Sequence, residues 1–349
     1  MGGSEFQVSC LLQRLVDLNR YELFYLARRV DPDFIPQGYK IVKVADARGF
    51  RRFGEFLDAP PLSKWLKEIK PDVIYQRVGC GYTGIAAYYA RHNGGRLIWH
   101  VAHDMEVEPF DSTVSKNMVF RYLDKKVLEY GIKHATAIIV QTQRQRELLK
   151  RHYNRTPVAQ IENGHPFPKG SIKKSDDVEI VWVANLKPWK RPELYIRLAK
   201  DLELSHNARF TMIGSPAWSA SRHAEFMRLI KDQRNLTYLG GRTQDEVNAI
   251  LARAHIFVNT SIQEGFPNTF IQAWMRQVPV VSMSVDPNDV ITRNRIGFLS
   301  GSYEKMKQHI VHLIESPDLR RRMGADAQAY AFAAYSMNNI DKVIQVIAA

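Results

Sequence analysis

The sequence predicts an α/β protein built from two doubly wound units, each a parallel sheet flanked by helices. Three observations carry this. Apolar, β-branched runs recur along the chain with helix-periodic segments between them, the pattern of strands covered on both faces and joined by helical crossovers. The chain has 349 residues and is 45% hydrophobic, which is enough material for two domains of ordinary size. Between two series of strands, the stretch NGHPFPKGSIKKSDD (residues 163–177) breaks the alternation with two prolines, two glycines and a charged cluster.

In chain order, the candidate strands of the first unit are KIVKVAD (40–46), DVIYQRV (72–78), RLIWHVAH (96–103), TAIIVQT (136–142) and VAQIENG (158–164). Those of the second are EIVWVAN (179–185), RFTMIG (209–214), LTYLGG (236–241), HIFVNT (255–260) and VPVVSMS (278–284). The expected domains are therefore 1–165 and 172–330, followed by a C-terminal helix in 331–349 that is free to pack back on the first domain. Helix signals fit this frame. Pro192 suits a first helical turn, and TQDE (243–246) reads as a capping box with Thr243 as N-cap and Glu246 three residues on. The N-terminus is the exception: MGGSEFQVSCLLQRL opens with a glycine pair and runs at once into an amphipathic helix, whereas a glycine turn in a doubly wound fold follows a strand. Either the first strand is missing, or an edge strand such as YELFYLAR (21–28) compensates.

Charge and cysteine content narrow the class. Lys and Arg total 49 against 36 Asp and Glu, a net charge of +13 that attracts anions of any kind. The basic residues are scattered, and no nucleic-acid-binding signature with interleaved aromatics is present, so no nucleic-acid partner is expected. Two cysteines are too few for a disulfide framework or a cysteine zinc site, as in a reducing compartment. No apolar run approaches the ~20 residues that span a bilayer, and no signal peptide is seen. The expectation is a cytoplasmic protein whose membrane contact, if any, is peripheral, at the inner face.

The chemistry concentrates where strands end. In open α/β sheets ligands bind at the carboxyl ends of the strands, where loops run into helix N-termini. NTSIQEGFPNTFIQAW is such a junction: the strand HIFVNT ends, Ser261 to Pro267 form a loop, and Asn268 or Thr269 is the expected cap of the next helix. Backbone N–H groups near Phe266, Pro267, Asn268 and Thr269, with the helix dipole, suit a phosphate. Glu264 cannot favour that anion, so its reading is as an acceptor for sugar hydroxyls. Gln272, one turn into the helix, is placed to bond vicinal hydroxyls through its amide. In VWVANLKPWKRPE (181–193), Lys190 stands at a helix threshold where an ammonium neutralises a diphosphate, with Arg191 as a weaker candidate. Gly214 in IGSPAW permits close backbone approach. In the first unit, WHVAHDMEVEP (99–109) puts His103 and Asp104 at a strand end, where a histidine bonds a sugar or moves a proton. His100, inside the strand, reads as a core residue. No metal motif, Walker loop or G-x-S-x-G elbow is present, so neither a metal nor another cofactor is expected.

Taken in order, the glycine pair of GGSEFQ, the histidine of HVAHD, VANLKPWK, MIGSP, LTYLGG and above all SIQEGFPNTFIQAW followed by VPVV resemble the retaining glycosyltransferases of the GT-B fold, glycosyltransferase family 4. The resemblance covers nearly the whole chain, and the last segment looks like the family's E-x7-E signature. It implies two Rossmann-like domains facing each other across a cleft, and a nucleoside diphosphate sugar donor with a glycan or lipid-linked acceptor. Lys190 would hold the diphosphate and Glu264 the transferred sugar. The backbone from Gly265 through Phe266, Pro267, Asn268 and Thr269 would meet sugar and phosphate, and Gln272 would take the ribose position. His103 would lie beside the reacting carbon, with Asp104 on the acceptor side, and Gly2 and Gly3 would line the cleft. Three departures stand out. The family's second glutamate is Gln272, its arginine five residues before the lysine is Asn185, and a glycine usual before PVV is replaced in Gln277–Val278.

What the resemblance implies is sugar transfer to a hydroxyl with retained anomeric configuration, in the synthesis of cell-surface polysaccharide or glycoconjugate, with the basic surface suiting peripheral contact with an anionic membrane. Rival readings are a non-catalytic sugar-nucleotide-binding subunit and a sugar-nucleotide epimerase or hydrolase of the same architecture.

Overall fold

The computed structural model describes residues 3–30, 34–46, 53–110, 118–203, 207–231 and 233–349. The chain divides into two compact units, one formed by Gly2–Gly164 with Met337–Ala349 and the other by His165–Ser336.

The first unit begins with helix α1 (Gly3–Leu18), followed by strands β1 (Phe24–Ala27) and β2 (Lys40–Lys43). Then come α2 (Ala59–Ile69), β3 (Val73–Arg77), α3 (Gly81–Asn93), β4 (Arg96–His100), α4 (Asp104–Val107), α5 (Met118–His134), β5 (Ala137–Val140), α6 (Gln143–Tyr153) and the two-residue β6 (Ala159–Gln160). β3, β4, β5 and β6 form one parallel sheet in that order, while β1 and β2 pair in parallel as a separate sheet. The stretch 21–28 thus supplies a strand, yet it pairs with β2 and not with the four-stranded sheet. Among the described residues no strand precedes α1.

The strands of this sheet alternate faces as their period of two demands. Leu97 and Trp99 of β4 pack with Ile132 of α5 and Leu149 of α6 on one face, while Ile98 packs with Leu11 and Leu15 of α1 on the other. The last helix, α14 (Asn338–Ala348), joins that second face through Ile340, Val343, Ile344 and Ile347. An ion pair from Arg14 Nε to Asp341 Oδ1 (2.7 Å) and a bond from Arg96 Nη2 to the Ile347 carbonyl (2.6 Å) fix it there. On the opposite face α3 and α5 touch through glycines: a Cβ at Gly84 would stand 2.0 Å from the Val127 carbonyl oxygen, and one at Gly131 would stand 2.6 Å from the carbonyl carbon of Thr83.

The second unit contains β7 (Val178–Val183), α7 (Pro192–Leu202), β8 (Ala208–Ile213), α8 (Ala220–Ile230), β9 (Leu236–Tyr238), α9 (Gln244–Arg253) and β10 (Ile256–Asn259). It continues with α10 (Asn268–Trp274), β11 (Val280–Ser282), α11 (Val290–Asn294), β12 (Gly297–Leu299), α12 (Tyr303–Glu315) and α13 (Pro317–Ala334). Its six strands are all parallel, in the order β12-β11-β10-β7-β8-β9. Val181 and Phe257 face a core with Phe270 and Trp274, whereas Ile180, Trp182, Ile256 and Val258 face one with Tyr195 and Leu198. The expected α/β class and the parallel sheets are observed. Strand β12 is absent from the sequence expectation, because three residues that include a glycine give no periodic signal.

Candidate functional site

Strand order places the site. Numbered from its first strand, the second unit's sheet runs 3-2-1-4-5-6, and its direction reverses between β7 and β10, which are paired through Ile180↔Ile256 and Val181↔Phe257. At such a switch point the loops beyond the carboxyl ends of the two strands part and leave room for a ligand. The loop after β7 carries Lys190 and the loop after β10 carries Glu264.

These loops are laced together by bonds that no local pattern announces. The Ile262 N–H donates to the Trp189 carbonyl (2.9 Å), the Thr260 hydroxyl to the Lys190 carbonyl (2.6 Å), and Arg191 Nε to the Thr260 carbonyl (2.7 Å). From below, Trp182 Nε1 donates to Thr260 Oγ1 (3.0 Å). The loop after β8 joins through Leu186 N–H to the Ser215 carbonyl (2.9 Å), and Gly214 N–H donates to the Gly240 carbonyl (2.9 Å) in the loop after β9. Four strand ends therefore form one hydrogen-bonded rim.

On this rim Lys190 Nζ and Glu264 Oε1 form an ion pair, with side chains 17% and 14% exposed. The same carboxylate oxygen accepts from the Ser261 hydroxyl (2.7 Å), and Ser261 is itself held by Asn259, whose Oδ1 accepts the Ser261 N–H (3.2 Å). An ammonium and a carboxylate from separate strand ends thus meet at the switch point. Lys190 ends a short 3-10 turn (Pro188–Lys190), after which Arg191 adopts a left-handed conformation (φ 46°) and Pro192 starts α7.

The other expected donor residues of this unit have mixed surroundings. Arg191 is committed to Thr260, with a longer contact to the Ser284 hydroxyl (3.4 Å). Asn185, in the place of an arginine, is exposed. Gly214 does allow a close backbone approach, although to the chain itself, since a Cβ there would lie 1.8 Å from the Ala184 carbonyl oxygen. Gln272 is 2% exposed, and its Nε2 donates to Gln244 Oε1 (2.6 Å) and Asn248 Oδ1 (2.9 Å) of α9. Gly265, Phe266 and Pro267 are buried, with Asn268 and Thr269 half-buried.

One expectation is corrected. Neither Asn268 nor Thr269 caps α10: its N-cap is Pro267, with no side-chain cap. Instead Asn268 Oδ1 accepts from Nε2 of the buried His165 (2.8 Å), a residue of the Pro-rich linker that no local pattern singles out. The capping box of α9 is present, with the Thr243 N–H donating to Glu246 Oε2 (2.8 Å) and the Glu246 N–H to Thr243 Oγ1 (3.3 Å).

In the first unit, His103 follows β4 and is the N-cap of α4, its Nδ1 accepting the Met105 N–H (3.2 Å). That bond puts the proton of the neutral ring on Nε2. Asp104 is buried beside α6, paired with Arg144 Nε (3.1 Å), and burial pushes its carboxyl up against the opposing pull of Gln145, His103 and Arg144. His100 is a core residue, as expected: its Nδ1 meets the Tyr75 hydroxyl (2.9 Å) and Arg77 Nη1 (3.1 Å), and burial with that guanidinium holds it well below the usual imidazole range. Gly3 starts α1 and is exposed, while Gly2 lies outside the described residues. Among the described residues no group of three or more His, Cys, Asp or Glu is arranged to hold a metal ion, and no helix is long and apolar enough to cross a membrane.

The chain matches known families over most of its length. Residues 166–330 match the family Glycosyl transferases group 1, and residues 1–166 match Glycosyltransferase Family 4. A relative from Escherichia coli, UDP-Gal:alpha-D-GlcNAc-diphosphoundecaprenol alpha-1,3-galactosyltransferase, is 23% identical over 259 residues, covering 68% of this chain and 64% of that protein. An uncharacterized glycosyltransferase of Methanocaldococcus jannaschii is also 23% identical, over 63% of this chain and 57% of its own length. The chain therefore spans less than two thirds of the curated relatives it matches. Among solved structures, sucrose-phosphate synthase from Thermosynechococcus elongatus superposes with a TM-score of 0.81 at 14% identity, over 99% of this chain and 92% of that one. Anabaena HepE in complex with UDP-glucose gives 0.76 at 16%, over 99% and 96%.

Proposed function

The chain belongs to the glycosyltransferases of the GT-B type, and we propose that it moves a sugar from a nucleoside diphosphate donor to a hydroxyl acceptor with retention of anomeric configuration. The observation that carries this reading is the Lys190–Glu264 pair at the switch point. A donor diphosphate draws the ammonium of Lys190 to itself, which frees the carboxylate of Glu264 to accept hydrogen bonds from the sugar's hydroxyls. Each charge is neutralised by the other before the donor arrives, so neither stands half-buried and unpaired. UDP-glucose in the HepE complex and UDP-Gal in the name of the E. coli relative support a nucleotide sugar as donor.

In the transfer step the bond from the anomeric carbon to the diphosphate oxygen breaks as the acceptor oxygen bonds to that carbon from the same face. The acceptor's proton passes to the departing diphosphate. Lys190 stabilises the charge that develops on the leaving group. Glu264 is engaged with hydroxyls and is not the nucleophile. His103, with Nδ1 occupied, offers Nε2–H to a sugar hydroxyl.

One observation favours a second reading. Asn185, exposed where the resemblance implies an arginine for the leaving diphosphate, suits a subunit that binds a sugar nucleotide without turning it over. The test is a thermal-shift screen of nucleoside diphosphate sugars followed by product analysis with hydroxyl acceptors. A ligand at 100 times its Kd adds about 2.7 kcal/mol of stability, a readable rise in melting temperature. Glycosylated product supports transfer, while binding without product supports the second reading. No shift with any sugar nucleotide overturns both.

The acceptor in this reading is a glycan or a lipid-linked sugar, met at an anionic membrane surface. α5 supports this: Tyr122 and Leu123 lie three and four residues after Val119, the three being 45%, 41% and 67% exposed, beside the exposed Arg121 and Lys126. Sedimentation with anionic vesicles is expected to pull the protein down at low salt, and Leu123→Asp to weaken this several-fold. Equal recovery with neutral vesicles would sink the electrostatic part of the idea.

A further inference from the structure

We propose that Glu106 is a positioning residue for His103: its buried carboxylate, in the ionised form, clamps together the two loops that follow β3 and β4. The inference rests on the reading of His103 given above. Glu106 is 8% exposed, although it lies only three residues beyond His103. Its Oε2 accepts the Ala102 N–H (3.1 Å), from the residue that precedes His103. The Gly79 main chain, in the loop after β3, also favours the ionised carboxylate. That loop lies directly on it, for a Cβ at Gly79 would stand 3.3 Å from Glu106 Cβ and 2.9 Å from Trp99 Cζ2. The backbone is fixed as well: the Glu106 N–H donates to the His103 carbonyl (3.0 Å), and Lys125 Nζ of α5 donates to the Glu106 carbonyl (2.8 Å). One carboxylate therefore sits where the two neighbouring strand ends meet, bonded to the residue before His103 and packed under Gly79.

The charged and titratable groups around it come from every element that packs there. Arg77 of β3 favours the carboxylate, though its guanidinium is already engaged with His100 Nδ1 and Asn163 Oδ1. Lys125 of α5 attracts the carboxylate and the His103 main chain of the shared loop favours it, whereas the Cys80 thiol at the start of α3, held up at about 12 chiefly by burial, is pushed further up by the Glu106 charge. Against these favourable donors, burial dominates and lifts the Glu106 carboxyl from 4.5 to about 7. Protonation weakens the charge-assisted bond from the Ala102 N–H and the pull on the Gly79 main chain, so the clamp loosens as pH falls through 7. The stability sign is opposite. Because the folded value lies above the unfolded one, this group favours the fold most at low pH, and that contribution is lost as pH rises through about 7. Holding the ionised form costs stability, as expected of a group kept for positioning and not for packing.

Glu106→Gln separates these roles. It should raise the melting temperature at pH 8 while lowering sugar transfer at least ~10-fold with donor KM little changed, and the acid limb of the wild-type rate near pH 7 should vanish. A readout without turnover is amide exchange at Ala102 and Gly79: protection, corrected for intrinsic rate, should fall from pH 8 to pH 6 in the wild type and stay flat in the variant. Flat protection in the wild type, or a variant with the wild-type rate and acid limb, overturns the proposal. A variant that loses stability and activity together also overturns it, because the role is then packing. Pronounced pH-dependent protection with no transfer in the wild type, or with His103→Ala fully active, would retain the clamp and reject the functional reading of His103 instead.

Discussion

Lys190→Ala and Glu264→Gln should each slow sugar transfer at least ~10²-fold, the order expected when one preorganised contact to a developing charge is lost. The two variants should fail differently. Lys190→Ala removes the cation from the leaving diphosphate, so both donor affinity and turnover fall. Glu264→Gln keeps the shape of the side chain but withdraws charge-assisted acceptance from the sugar hydroxyls, so turnover falls more than binding. Stability gives a second handle. Lys190→Ala leaves a carboxylate only 14% exposed with the Ser261 hydroxyl as its remaining partner, a loss of about 1 kcal/mol for a pair that still touches solvent. The double variant Lys190→Ala, Glu264→Gln has no unpaired charge and should melt closer to the wild type than Lys190→Ala alone. Steady-state transfer assays and thermal melts of the three variants decide the matter. Wild-type turnover in both single variants would remove the basis of the proposed mechanism.

Lys190 and Glu264 are 74 residues apart, yet the sequence points to both. Each follows a strand so apolar that its end is visible, and each precedes a recognisable helix start. Legibility fails where a role depends on atoms brought in from elsewhere. Gln272 reads as a ligand contact because its place in the motif is all the sequence offers, but its amide nitrogen is met by two α9 side chains, 28 and 24 residues earlier. Asn268 reads as a helix cap by residue type, and the competing donor, His165, comes from 103 residues away. Glu106 reads locally only as an acidic residue in the first turn of α4, because the packing of Gly79 against it, from 27 residues earlier, leaves no trace in the local pattern. In the fold, apolar strands are legible, although β6 keeps only two residues of the expected stretch 158–164, whereas β12, with three residues, is defined by the edge it pairs with and not by its own pattern. Of the lacing of the rim, only the strand ends are foreseeable, since most of its bonds are made by main-chain groups that every residue carries.

The largest stability effect is expected at Gly84, far from any reacting atom. α3 and α5 pack with their backbones almost in contact, and a Cβ at this position would stand 2.0 Å from the Val127 carbonyl oxygen and 2.6 Å from Val127 Cγ1. The obstacle is main chain, so no rotamer change relieves it. Alanine gains up to ~1 kcal/mol in helix propensity over glycine and loses more than that in forcing the helices apart. Valine adds two methyl groups to the same clash, and Gly84→Val should cost ~3 kcal/mol or more, at the upper end of overpacking penalties. For a unit of this size that lowers its melting temperature by roughly 10 °C. The strain has a functional route as well, because α3 starts at Gly81, two residues after Gly79, which packs on Glu106. Gly94→Ala is the comparison without a clash: its Cβ would meet nothing within 4 Å, so only its backbone conformation (φ 83°, ψ 172°), one that suits glycine, is strained, at a cost of roughly 1–3 kcal/mol. Calorimetry that finds Gly84→Val melting within a degree of the wild type would mean that α3 and α5 do not pack this closely in solution.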